Sequence, residues 1–327
     1  MERGPVYVAG LERSGTSLLY ALLASHPNLA MTRRTNLWKH FYGQYGDLSD
    51  PGNLRRCLDM MRRYKRLAVL KPDFDRLERD FLAGPATYPR LFDLLESQYA
   101  EQIGRSRWGD KSLNTEQYAE PIFEAFPGAR ILHMIRDPRD RFASSLQRWG
   151  VRRGGVGVGT AEWLSSVRVA RRNQTRYPSS YRIVRYETIA TEPEASLREI
   201  CSFIDEPFTE QMLSMEGAPV FRDKGSNSSY EPRDPGVIST GSIGRYRQVL
   251  SPRQVAFMQV VAKEEMASFG YQPETLDLGA RQRLGFAIHD VPVESAHLLV
   301  WRTREAFRDR AGRPVPAYRL SRREEAA

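Results

Sequence analysis

The chain has 327 residues, enough for one large core or two small ones, and a net charge of +9 from 49 basic and 40 acidic side chains. No apolar run approaches the ~20 residues of a membrane span, the first apolar strand starts a few residues from Met1, and Cys57 and Cys201 stand in no ligand or redox spacing. These features exclude a spanning helix, a disulfide framework and a zinc site, and the expectation is a soluble, cytoplasmic protein without a signal peptide, in a reducing compartment, whose basic surface attracts anionic small molecules; it carries no zinc-finger or RNP-type nucleic-acid motif.

The stretch Val6 to Ser25 (VYVAGLERSGTSLLYALLAS) begins with a β-branched apolar run and continues through a Gly/Ser/Thr loop. It ends in helically spaced Leu18, Leu19, Leu22 and Leu23, giving strand, loop and helix. The loop from Gly10 to Ser17 has the two-glycine spacing of a phosphate loop, but Thr16 stands where that motif has lysine. Gly15 allows close approach of an anion, the amides at the helix start point to it, Ser14, Thr16 and Ser17 add hydroxyls, and Arg13 supplies the charge. Loss of the lysine argues against a magnesium-bridged triphosphate and suits a single 5′ phosphate carrying another group; an ordinary Gly/Ser turn is the plain alternative.

His26-Pro27-Asn28 ends the first helix, and a mixed polar and aromatic loop follows, carrying Arg33, Arg34 and His40. Apolar spacing at Leu58, Met61, Leu91, Leu94, Leu95 and Tyr99, interrupted at Gly84-Pro85, predicts a helical cap over about residues 36–105. Such a cap either contacts a substrate or simply packs. A short extended segment, Arg107 to Lys111, precedes a helix that Pro127-Gly128 breaks, and Ala129 to Ile135 reads as a buried parallel strand. Arg136-Asp137-Pro138-Arg139-Asp140 follows at once, opening a helix with Ser144 and Arg148. Ligands of open α/β sheets sit beyond the carboxyl ends of the strands, so Arg136 and the phosphate loop are expected to face one crevice. A further strand runs from Tyr181 to Tyr186 and ends in Glu187, a helix spans Pro193 to Ile204, and the Gly/Ser-rich stretch 224–244 is too long for a plain connector, which predicts a binding loop or lid. Arg245-Tyr246 then leads into a last helix that ends near Phe269.

Taken together, Arg13-Ser14-Gly15-Thr16-Ser17, Trp108-Gly109-Asp110-Lys111, Ile135 to Asp140 with Ser144, Val184 to Glu187, and Gly244-Arg245-Tyr246 resemble the sulfotransferases that use 3′-phosphoadenosine-5′-phosphosulfate (PAPS), nearest to the bacterial and tyrosylprotein branch, over about Val6 to Pro273. The resemblance implies a three-layer α/β fold with a mostly parallel central sheet, P-loop-like topology, helices on both faces and a helical cap. It implies one sulfotransferase domain over 1–275 and an extension over 276–327. PAPS would be the co-substrate and PAP the product, with no metal. Lys111 and Arg13 would sit on the bridging and leaving-group oxygens. Arg136, Ser144 and Arg148 would hold the 3′ phosphate, Tyr186 would lie near the adenine, and Arg245 would close the donor pocket.

One departure concerns the base that must take the acceptor's proton. The glutamate of the tyrosylprotein branch is replaced by the run Thr32-Arg33-Arg34-Thr35, which makes a protein tyrosine doubtful as acceptor and suggests an acidic one, such as a glycan, glycolipid or small metabolite. His40 and Asp110 are the substitute candidates; Glu12, repelled by an anionic donor, is expected to turn outward and pair with a cation. A P-loop kinase and a PAP-binding protein without catalysis are the competing readings. Residues 296–310 predict an amphipathic helix that packs on the domain by default, or serves a membrane surface or a dimer.

Overall fold

The computed structural model describes residues 3–150, 155–223 and 234–310, with side chains to 307. Five parallel strands form the sheet: β1 (Val6–Gly10), β2 (Leu29–Arg33), β3 (Arg107–Lys111), β4 (Arg130–Ile135) and β5 (Tyr181–Arg185), in the order β2-β3-β1-β4-β5. The central strands are apolar on both faces, as parallel strands covered by helices must be. In β1, Tyr7 and Ala9 enter one core with Trp38, Phe92 and Trp108, while Val6 and Val8 enter the other with Leu18 and Leu22. The three-layer arrangement expected from the sequence is therefore present.

The second core is covered by α1 (Thr16–Ala24). On the opposite face, α2 (Pro51–Arg63), α3 (Phe74–Leu82) and α4 (Tyr88–Gln102) come between β2 and β3 and share the first core with the sheet. Asp50, Asp73 and Thr87 start these three helices by accepting the amides of Asn53, Arg76 and Arg90. The helices α5 (Pro138–Trp149) and α6 (Val156–Arg176) carry the chain from β4 to β5, and α7 (Pro193–Phe203) follows.

The topology creates the crevice. From β1 the chain crosses to β2 on one side, and from β4 it crosses to β5 on the other, so the two central strands, paired from Val6↔Arg130 to Gly10↔Met134, open a switch point at their carboxyl ends. The loop after β1 and Arg136 after β4 both emerge there.

Two local readings are corrected. The segment taken as a loop after the first helix contains β2, whose pairing runs from Leu29↔Arg107 to Arg33↔Lys111; LAMTR has no strand pattern of its own, and only the waiting edge of β3 makes it extended. Tyr186 does not end a strand but opens the short helix Tyr186–Thr191.

The C-terminal helix α8 (Val291–Arg310) lies along α6. Glu294 Oε2 accepts the amide of Gly157 at 2.8 Å, and a Cβ at Gly157 would overlap the Glu294 backbone carbonyl. The glycines at the start of α6 thus form the notch that receives α8, and the Glu294 carboxylate caps a helix whose own N-cap, Gly155, has no side chain to offer. No helix among the described residues is long and apolar enough to cross a membrane.

Candidate active site

Between β1 and α1 the chain turns through two left-handed residues, Arg13 (φ 71) and Gly15 (φ 91), and the Ser14 amide closes the turn on Leu11 O at 3.2 Å. α1 has no side-chain cap, so its leading amides face the loop, and the Ser14 and Thr16 side chains are buried inside it. Gly15 is required twice over: its φ disfavours any L side chain, and a Cβ would overlap the ring of Tyr186. Gly15→Ala is expected to cost about 1–3 kcal/mol, read as a lower urea midpoint; an unchanged midpoint would mean that the loop relaxes without strain.

Arg136 and Ser144 lie across the crevice, both nearly inaccessible at 5% and 1% exposure. Arg136 Nη1 donates to Arg13 O at 3.3 Å and Nη2 to Ser242 O at 2.6 Å, and its guanidinium lies 4.5 Å from the Tyr186 ring centroid. Its Nε is a buried donor without a partner among the described residues, which is costly unless an anion satisfies it. Arg13 Nε donates to Ser144 Oγ at 2.8 Å. The two residues that the sequence assigned to separate phosphates thus touch, and the two anion elements form one continuous site.

Tyr186 is 1% exposed, with its hydroxyl 2.6 Å from Ser242 Oγ and one ring face under Arg136. It forms a wall between Arg136 and Gly15. Arg148 is exposed, and its charge acts on Arg34 at the other side of the crevice; Ser144, one turn earlier on α5, is the buried member of that pair. Arg245 adjoins the helix Tyr246–Val249. That segment is tied to α5 by Asp140, which accepts the amides of Gly244 (2.7 Å) and Tyr246 (2.9 Å); burial pushes its carboxyl up to about 6, against the pull of Arg136. Sequence reasoning gave Asp140 and Ser242 no role. Asp140 stood inside a motif read only for its arginine, and Ser242 was one hydroxyl among several in a long loop, of which residues 224–233 lie outside the described residues.

Lys111 ends β3 at 6% exposure, beside Arg33 of β2, and its carbonyl accepts the amide of left-handed Arg34 at 2.9 Å. Burial, and then the charges of Arg34 and Arg33, lower its ammonium to about 8. The neighbouring Asp110 points to the other side of the strand: it accepts Thr32 Oγ1 at 3.1 Å, and Ser112 and Thr35 also hydrogen-bond to it. Thr32 Oγ1 is likewise 3.2 Å from Oε1 of Glu96, a carboxyl with no exposure that burial and Asp110 push well above the usual range. Asp110 thus lies 2% exposed in a buried polar cluster with Thr32, Thr35 and Ser112.

Burial, aided by Lys39, lowers the His40 imidazole to about 4, and the ring packs on Tyr64 with centroids 6.0 Å apart. Glu12 is half-buried, and its charge acts on Lys111 and Arg34. It lines a cavity beside the loop after β1.

Among known proteins, the profile described as the sulfotransferase family matches residues 5–210. Protein-tyrosine sulfotransferase A of Caenorhabditis elegans is 23% identical over 217 residues, 64% of this chain and 52% of that protein, so the chain spans about half the length of this curated relative. The sulfotransferase domain of the Synechococcus PCC 7002 olefin synthase superposes with a TM-score of 0.54 at 20% identity, covering 83% of this chain and 97% of that one. A sulfotransferase domain from the curacin biosynthetic pathway gives 0.51 at 18% identity, over 84% and 99% of the two chains. At these identities the two structures speak for the fold alone.

Proposed function

The chain belongs to the sulfotransferase family, and from that membership we propose that it moves a sulfuryl group from PAPS to a hydroxyl or amine of an acidic acceptor. The observation that carries the donor half is the buried, unpartnered Nε of Arg136, next to Ser144 and continuous with the phosphate loop through Arg13. A donor with a 5′ phosphosulfate and a separate 3′ phosphate needs two such anion contacts on one sheet edge. Arg136 and Ser144 would take the 3′ phosphate, where a guanidinium places its donors on two oxygens at once. Ser14 to Ser17 would take the 5′ group, and Lys111 and Arg13 the charge that grows on the leaving oxygen. The absent Walker lysine fits a donor that needs no magnesium bridge.

The acceptor half rests on charge. Arg33, Arg66 and Arg148 all act on Arg34, as does Glu12 with the opposite sign, and Arg34 and Arg33 act on Lys111; none of the four arginines is in an ion pair with a carboxylate among the described residues. Such a cluster raises the local concentration of anionic partners.

Calorimetric titration with adenosine 3′,5′-bisphosphate tests the donor half: tight binding that is unchanged by magnesium is expected, whereas ATP binding that depends on magnesium would overturn the reading in favour of a kinase. Labelled sulfate passed equally well to neutral and acidic acceptors of similar size would remove the acidic preference. A protein that binds PAP and labels nothing in a broad acceptor panel is a binding protein and not an enzyme.

A further inference from the structure

The turn that follows β2 has an uncommon backbone. Arg34 (φ 61) and Asn36 (φ 51) are both left-handed, with Thr35 fully buried between them. Asparagine tolerates that region, whereas arginine is strained there and persists only where its surroundings fix it. Hydrogen bonds on both sides do so. The Arg34 amide donates to Lys111 O at 2.9 Å, and its carbonyl accepts Asn36 Nδ2 at 3.0 Å and the Tyr64 hydroxyl at 3.4 Å, while the Asn36 amide donates to Ser112 Oγ at 2.9 Å. Asn36 Nδ2 also donates to the Tyr64 hydroxyl at 2.7 Å, and Tyr64 is the residue at which α2 ends, so the helical cap grips the turn.

The strain fixes the place of one side chain. Thr35 is drawn into the cluster around Asp110, and Arg34 is left exposed next to Lys111, whose carbonyl holds its amide. The Arg34 guanidinium makes no hydrogen bond and no ion pair among the described residues; Glu12 acts on it only through space, against Arg33, Arg66 and Arg148. Both backbone polar groups of this residue are thus engaged, and the guanidinium fork is what remains to receive an anion.

From this turn, and resting on the sulfotransferase reading above, we propose that Arg34 sets acceptor specificity by receiving a carboxylate of the acceptor, and that Asn36 and Tyr64 are the positioning residues that hold it there. Arg34 is hydrogen-bonded to the residue assigned to the leaving oxygen. The carboxylate it takes therefore belongs to the same small unit as the accepting hydroxyl, as in a uronic acid or a hydroxy acid, and not to a distant part of a large acceptor.

The test uses labelled PAPS with two acceptors of one shape, methyl glucuronide and the neutral methyl glucoside, and follows urea unfolding and PAP binding in parallel. The unsubstituted protein is expected to prefer the glucuronide. Arg34→Asn suits the left-handed backbone but has no charge. In this variant the ratio of kcat/KM for the two acceptors is expected to fall about 10- to 100-fold, through a higher KM for the glucuronide, with the urea midpoint at or above that of the parent because the strain is relieved. Arg34→Lys should recover part of the ratio, and Tyr64→Phe should lose part of it by freeing the Arg34 carbonyl. An unchanged ratio in Arg34→Asn, a loss in kcat that is alike for both acceptors, or a urea midpoint clearly below the parent's would overturn the proposal. So would an unsubstituted protein that binds PAP and labels neither acceptor, or both equally. Failure to bind PAP would bring down the sulfotransferase reading itself, and the role of Arg34 with it.

Discussion

Lys111→Ala is expected to lower sulfuryl transfer by about 100- to 1,000-fold, the size of effect seen when one donor to a developing oxyanion is removed, while most PAP affinity survives on Arg136, Ser144 and the phosphate loop. The reasoning starts at the end of β3, where Lys111 is buried next to Arg33 and Arg34 and its ammonium is lowered to about 8. The charged form is the one that stabilises a leaving oxygen, and a lysine is charged below its pKa. kcat/KM of the unsubstituted protein for PAPS should therefore decline as pH rises through about 8. An anionic donor favours the ammonium, raises its pKa and draws in a proton, so PAP binding above that pH should take up protons, seen as a binding heat that varies with the ionisation enthalpy of the buffer. Lys111→Arg keeps the charge and should lose the alkaline decline even if misaligned geometry lowers the rate. Full activity in Lys111→Ala would refute the chemistry assigned to this residue.

Arg136→Ala is expected to weaken PAP binding by about 2–5 kcal/mol, roughly 30-fold to several thousand-fold, since it removes a buried charged partner of a phosphate. The same side chain donates to Arg13 O and Ser242 O and covers Tyr186, so some of the loss would come from loosening the crevice. Arg136→Lys separates the two contributions: it keeps the charge, loses the fork and should fall between the parent and the alanine variant in affinity. Unaltered PAP affinity in a folded Arg136→Ala protein would move the 3′ phosphate elsewhere. Donor binding by this guanidinium is consistent with its orphaned Nε, because a buried donor that no protein group satisfies costs about 1–3 kcal/mol until a ligand supplies the acceptor.

Buried carboxyls and the exposed basic cluster divide the site electrically. Asp110, Glu96 and Thr32 hold their charge and protons behind β2 and β3, away from solvent, while Arg33, Arg34, Arg66, Arg148 and Lys111 leave the mouth strongly positive. Anionic ligands gain from that asymmetry, and the Glu12 charge acts on Arg34 and Lys111.

The sequence by itself determined the parts whose signal is local. A strand, a left-handed glycine and a helix with free amides follow one another within Val6 to Ala24, so the phosphate loop and its missing lysine were legible as a spacing. The apolar run of β4 followed by arginine and proline was equally plain. Tertiary structure alone decided what depends on pairing and burial. Leu29–Arg33 became a strand because β3 offered it an edge, and that pairing set Arg33 beside Lys111. Asp110 and Lys111 meet different partners because successive residues of a strand point to opposite faces, so Asp110 joins Thr32 in a buried cluster while Lys111 faces Arg33 and Arg34. Glu12 and Trp301, from distant parts of the chain, come to line one cavity. Spacing records which backbone shapes a sequence can adopt; which side chains then meet depends on the strand order and on helix packing, and these are properties of the whole chain.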